Sequence, residues 1–248
     1  MRTIYRIDGS AASPSPLAIK RAADELRAGA LALLPTETVY GVGVSVAAFA
    51  GADPAAAAMP APVTGYRRIF SLKHRDLAQT VAWLVDGPAA LDVFGVGVDA
   101  RTRELARAFW PGALTLIVKA SPAVPSFMQA ADGTVALRAS ACPAILNLIA
   151  ACRSPLAVTS ANTHGAPAPA SFAEVEPRVL AGVDVAIDAG PTRCRDASTI
   201  VSLASGEPRI LRQGALAEKD IFEALGLPAD ACKRADDTIP RASGLWNE

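Results

Sequence analysis

Residues 35–43 read PTETVYGVG and gather two threonines, an acid, a tyrosine and two glycines directly behind a short apolar run. Hydroxyls and backbone groups at a strand end can turn toward a cleft and hold a ligand, and the same composition also suits a polar turn. Lys73, His74 and Arg75 follow one another at the end of a helical stretch. Cations there complement the helix dipole. They can also clamp phosphates, arginine as a planar fork and lysine as a point charge. Arg138 closes the apolar run TVALR, where a cation needs either a salt-bridge partner or an anionic ligand. Thr159, Ser160, Ala161 and Asn162 follow another apolar run, and small polar residues in that place suit close ligand approach, a cap or a turn. Ser198 opens STIVSL and Arg212 ends RILR. His74 and His164 are expected at the surface rather than as catalytic bases.

Other devices are missing. The chain has no GxxxxGK[ST] loop, no GxGxxG before a helix, no HExxH and no GxSxG elbow. Its four cysteines, at 142, 152, 194 and 232, include no CxxC pair, and there are two histidines. Neither a structural metal site nor a disulfide framework is expected. Lysine plus arginine equals aspartate plus glutamate at 24 each. That argues against coating nucleic acid through bulk charge and leaves room for a local basic cleft. The N-terminus has no apolar core of signal-peptide length, and no apolar run reaches membrane-spanning length, so a cytoplasmic protein is expected.

The elements that must position these residues alternate between strand and helix signals. Strands are expected at 3–7, 30–34, 79–85, 113–119, 135–138, 155–159, 183–187, 199–203 and 209–211. Helices are expected at 16–28, 64–73, 101–109, 143–151, 172–180 and 217–225. Ser15 and Pro16 make a clean helix start, Gly29 a stop, and Leu17, Ala22, Ala23 and Leu26 are expected to face inward. Residues 46–63, rich in Ala, Pro and Gly, read as a surface excursion. With 248 residues and no linker or repeat, a single domain over 1–229 and a loose tail over 230–248 are expected.

As an ordered set, PTETVYGVG, the Lys73/Arg75 pair, FWPGALTLIV, TVALR, PLAVTSANTHGAPAP, ASTIV and ILRQGAL resemble the YrdC-like threonylcarbamoyl-AMP synthase family over about residues 18–215. The resemblance implies an α/β fold, a twisted mixed sheet with flanking helices and a concave, positively lined cleft. It implies that L-threonine, bicarbonate and ATP give threonylcarbamoyl-adenylate and pyrophosphate, for tRNA threonylcarbamoyladenosine modification by separate partners. Carried over residue by residue, it implies that Thr38, Arg138, Ser198 and the backbone of Val158 hold threonine. Lys73 and Arg75 would be the catalytic cations facing the phosphates. Thr134, Ser160 and Arg212 would complete the nucleotide site, with Asn162 supporting the turn. Mg²⁺ would arrive with ATP rather than in a protein cage.

Three positions depart from that pattern, one of them Ala168, which stands where the resemblance implies serine. Gln79 stands where the resemblance implies asparagine. Leu84 stands where it implies histidine, and leucine cannot replace an imidazole. Two alternatives stay open: a paralogue that adenylates a different carbamoylated acceptor, and a module that binds double-stranded RNA or tRNA.

Overall fold

The structure is a computed structural model that describes residues 2–7, 13–204 and 206–228. The tail expected over 230–248 and Cys232 lie outside the described residues. Ten strands form one open, mixed sheet. They are β1 Thr3–Arg6, β2 Ala32–Leu34, β3 Gly41–Ser45, β4 Trp83–Val85, β5 Leu114–Lys119, β6 Thr134–Ala139, β7 Leu156–Ser160, β8 Val185–Asp188, β9 Thr199–Ser202 and β10 Arg209–Arg212. Their order across the sheet is β1-β8-β2-β3-β7-β4-β6-β5-β9-β10. The helices are α1 Pro16–Arg27, α2 Ala47–Ala50, α3 Gly65–Lys73, α4 Ala90–Phe94, α5 Ala100–Phe109, α6 Pro143–Cys152, α7 Pro177–Ala181 and α8 Glu218–Ala224.

Local signals explain much of this. The Ser15 hydroxyl accepts from the Ala18 amide at 3.3 Å, Pro16 opens α1, and Gly29 ends it with φ +92°. Leu17, expected inward, is 58% exposed, and Ile19 is buried instead with Ala22, Ala23 and Leu26. Positions 19, 22, 23 and 26 share one helical face, and position 17 falls on the opposite side. The helix expected over 172–180 is a 3-10 turn, Phe172–Glu174, followed by α7. Pro177 disfavours helical backbone at Glu176, which is extended at ψ 132°. The strand expected from 79 shrinks to β4 because the Asp76 carboxylate turns the chain by accepting from the Ala78 amide. Residues 46–63 carry only α2 and a 3-10 turn, Pro54–Ala56.

One sheet face packs under α3, α5, α7 and α8, with Leu33, Trp83, Leu116 and Leu137 pointing into that core. On the other face, Ala22 and Leu26 of α1 and Ile145 and Leu148 of α6 cover Leu34, Leu156, Val158 and Val185. Further along that second face lies a small cluster of Ile117, Ala136 and Ile200, joined by Ala82 and Leu211. Every member comes from a strand or its approach, so among the described residues no helix roofs it. That gap is where the candidate site lies.

Gly43, in the strand that leads away from the cleft, lies hard against β7. A Cβ there would lie 2.5 Å from the Ala157 carbonyl oxygen and 2.6 Å from Val158 Cγ2. Gly43→Ala is expected to cost about 1–3 kcal/mol through overpacking. Thermal unfolding should fall by roughly 2–12 °C for a chain of this size. An unchanged melting temperature would show that β3 and β7 can spread apart.

Candidate active site

The unroofed stretch forms a cleft open to solvent, about 650 Å³ when the open space at its mouth is counted. The strand period of two puts Ala82 and Leu84, Ala136 and Arg138, and Ser198 and Ile200 on this one face. The register pairs Leu84 with Arg138 and Thr115 with Ile200. The floor is therefore apolar, from Ala82, Leu84, Ala136, Val158 and Ile200, and Arg138 stands at its end. Hydroxyls of Thr36, Thr38, Thr115, Ser160 and Ser198 edge it, with Arg75 and Arg212. Val39, Ala197 and Arg212 also line a second hollow, bounded by Asn162 and residues 165–168.

Arg138 does have a protein partner. Its Nη2 donates to Glu37 Oε1 at 2.6 Å and its Nε to the Gly112 carbonyl at 3.1 Å. The Ser140 hydroxyl donates to the other Glu37 oxygen. Burial alone would push the Glu37 carboxyl up. The Arg138 charge, the bonds from Ser140 and Arg138 and the residue's own backbone amide outweigh it and hold Glu37 below its ordinary value. A carboxylate lowered on folding adds stability that is present above its unfolded pKa, about 4.3, and is lost as pH falls through the folded value. Wild type should therefore exceed Glu37→Gln in stability at neutral pH, and the gap should start to narrow below about pH 4.3 and close only below the lowered folded value. Urea unfolding across that range checks it, and a gap independent of pH would contradict it.

Lys73 is 1% exposed and lies beneath the cleft wall. Its Nζ donates to the Ser160 carbonyl at 2.5 Å, the Ser160 hydroxyl at 3.0 Å and Asn162 Oδ1 at 3.2 Å. Asn162 in turn donates to the carbonyls of Thr163 and Ala166 at 3.1 and 2.6 Å, which shapes the turn after β7. Arg75 lines the cleft. Its Nε donates to Gln79 Oε1 at 2.9 Å, its Nη1 to the Thr159 hydroxyl at 2.9 Å and its Nη2 to the Thr80 carbonyl at 2.8 Å. Gln79 thus holds Arg75, and Leu84 lies on the floor beside Arg138.

Ser198 and Arg212 meet. Arg212 Nη2 reaches the Ser198 carbonyl at 3.0 Å and hydroxyl at 3.3 Å, and that hydroxyl lies 2.8 Å from Thr115 Oγ1. Thr38 and Val158 line the cleft. The Val158 amide is already given to the Ala82 carbonyl, at 2.8 Å. Thr134 is placed apart from the cleft lining, with its hydroxyl donated to Asp132 at 2.6 Å. His74 and His164 are exposed. So the fold gathers Thr38, Arg75, Arg138, Val158, Ser160, Ser198 and Arg212 on one cleft, and sets Lys73 and Asn162 behind the turn that carries Ser160.

Sequence reasoning overlooked Glu37, Ser140, Thr80 and Thr115. One signal for Glu37 was present: a cation ending an apolar strand demands a carboxylate, and Glu37 sits between the two threonines of the first motif.

The Sua5/YciO/YrdC family model, described as telomere recombination, matches residues 55–214. The chain belongs to this family. A Mycobacterium tuberculosis relative, named provisionally as a threonylcarbamoyl-AMP synthase, is 35% identical over 85% of this chain and 90% of its own length. A Pyrococcus abyssi protein named threonylcarbamoyl-AMP synthase is 33% identical over 84% of this chain, which spans 57% of that protein's length. Among solved structures, Pyrococcus abyssi Sua5 complexed with L-threonine superimposes with a TM-score of 0.78 at 30% identity, covering 91% of this chain and 61% of that one. Escherichia coli YciO, at 20% identity, shares the fold with a TM-score of 0.74. Both of these solved structures share the fold of this chain. No helix among the described residues is long and apolar enough to cross a membrane.

Proposed function

We propose that the cleft binds ATP and L-threonine and joins them, through a carbamate made with bicarbonate, into threonylcarbamoyl-adenylate. The observation that carries this reading is the placing of Arg75, Arg138 and Arg212 on one cleft with hydroxyls between them. Separate cations on a single hollow suit a triphosphate beside a small zwitterion. The L-threonine complex of Pyrococcus abyssi Sua5 supports the choice of amino acid.

In this reading Arg138 takes the threonine carboxylate, with Thr38, Ser198 and the Val158 backbone around the amino acid. Arg75, Ser160 and Arg212 face the nucleotide, while Lys73 and Asn162 hold Ser160 from behind. Thr134 belongs to the nucleotide end only if the bond to Asp132 opens. The free amine of threonine attacks the carbon of carbon dioxide, released from bicarbonate with loss of hydroxide, and gives up a proton to become the carbamate. A carbamate oxygen attacks the α-phosphorus, the bond from that phosphorus to the bridging oxygen breaks, and pyrophosphate leaves with the Mg²⁺ it arrived with. No covalent enzyme nucleophile is needed. The chain positions two anions and spreads charge over the phosphoryl oxygens, which is orientation and electrostatics. The mixed anhydride is an activated acyl donor, and under this reading adenosine in tRNA consumes it through a separate partner.

One observation favours a second reading. Leu84 sets an apolar side chain directly beside Arg138, which also suits a carbamoylated acceptor other than threonine. One assay decides between them: pyrophosphate release from ATP and bicarbonate with each amino acid in turn. Threonine-dependent release supports the synthase, and release with another amino acid supports the paralogue. A chain that takes RNA but not ATP would sink both and leave the RNA-binding module.

A further inference from the structure

We propose that Glu37 is a positioning residue for the amino-acid end of the cleft: it fixes the rotation of Arg138 so that the free edge of the guanidinium meets the substrate carboxylate. The inference rests on the reading above. Glu37 does not line the cleft, and its side chain is only 10% exposed, so it acts through Arg138 rather than on a ligand. Two of the three guanidinium nitrogens are committed, Nε to the Gly112 carbonyl and Nη2 to Glu37. Nη1 has no protein partner among the described residues, and Arg138 lines the cleft. An arginine pinned along one edge presents the other in one orientation, and a planar fork binds a carboxylate only when so oriented.

Glu37 is itself held firmly enough for this task. The Ser140 hydroxyl donates to its second oxygen, and its carbonyl accepts from the Cys194 amide at 2.8 Å. The next carbonyl, of Thr38, accepts from the Thr192 hydroxyl at 2.7 Å. These bonds tie the loop that holds Glu37 to Thr192 and Cys194 and, through Ser140, to the end of the strand that holds Arg138. A buried ion pair is weak evidence for stability, because desolvation offsets much of its attraction. Orientation is the use the geometry leaves for it.

The rival account makes Glu37 a competitor that the substrate carboxylate must displace. The two differ in sign. Titration of the full chain with L-threonine, and separately with MgATP, distinguishes them. Glu37→Ala is expected to raise the L-threonine Kd by roughly tenfold or more, with the MgATP Kd unchanged within about twofold. Glu37→Gln keeps the volume and an acceptor oxygen and should lose less, about two- to fivefold. It also keeps the test decisive should the alanine variant not fold. Tighter or unchanged L-threonine binding in a folded variant, or an equal loss of MgATP, overturns the proposal.

A second readout needs no substrate. In ¹⁵N-arginine-labelled protein the Arg138 Nε–H, bonded to the Gly112 carbonyl, should exchange slowly in wild type, faster in Glu37→Gln and fastest in Glu37→Ala as the guanidinium loosens. Equal exchange in all three overturns the proposal. Wild type that takes no L-threonine but shows this contrast defeats the proposed function and leaves the role of Glu37 standing.

Discussion

Arg138→Ala is expected to abolish measurable L-threonine binding while leaving the ATP affinity within about threefold. Each charge-assisted hydrogen bond contributes about 1.5–3 kcal/mol, so losing a two-point contact to a carboxylate weakens binding at least about a hundredfold. The same change strands Glu37, which is buried and ionised beside Ser140. Breaking one partner of a buried pair costs about 3–5 kcal/mol, a large part of a domain's total stability. Binding loss and unfolding must therefore be separated. The double variant Arg138→Ala, Glu37→Gln removes the stranded charge and should recover much of the melting temperature without recovering threonine binding. Calorimetric titration and thermal unfolding of both variants check this. Recovery of binding in the double variant would show that the carboxylate sits on some other cation.

Lys73→Ala is expected to act on the nucleotide end of the site through the fold. Three acceptors converge on its ammonium, the Ser160 carbonyl and hydroxyl and Asn162 Oδ1. Alanine takes a donor from those buried acceptors, although Asn162 Oδ1 keeps the Ser160 hydroxyl, and leaves a cavity where the side chain ran. The cost is about 2–5 kcal/mol, or roughly 4–20 °C in melting temperature. ATP affinity should fall with it, because Ser160 is carried by the turn that Lys73 holds. Arg212→Ala makes the contrast, since Arg212 is only partly buried and contacts Ser198 from the rim. It should weaken ATP by about tenfold or more through a lost charge-assisted contact while shifting the melting temperature by little. A Lys73→Ala protein that melts like wild type would remove Lys73 from its place behind Ser160.

Much of the architecture was legible because its signals are local. The Ser15 hydroxyl and Pro16 start α1, Gly29 stops it, and β-rich runs such as TLIVK and TVALR are strands. Three expectations differ from the structure for local reasons: the helical period turns Leu17 outward, Pro177 interrupts 172–180, and the Asp76 turn delays the start of β4.

The sequence by itself determined the family, the alternation of elements and the residue types gathered for an anionic ligand. Caps, periods and motif order are written within a few residues of one another, so they need no fold to be read. Only the tertiary structure decided which acid faces Arg138, 101 positions away, and which acceptors hold Lys73, 87 and 89 positions away. It also decided which stretch of the sheet is left without a helix above it. Those outcomes depend on strand order and on where α1 and α6 come to rest, and a pairing across a sheet leaves no periodic trace in either partner's own segment.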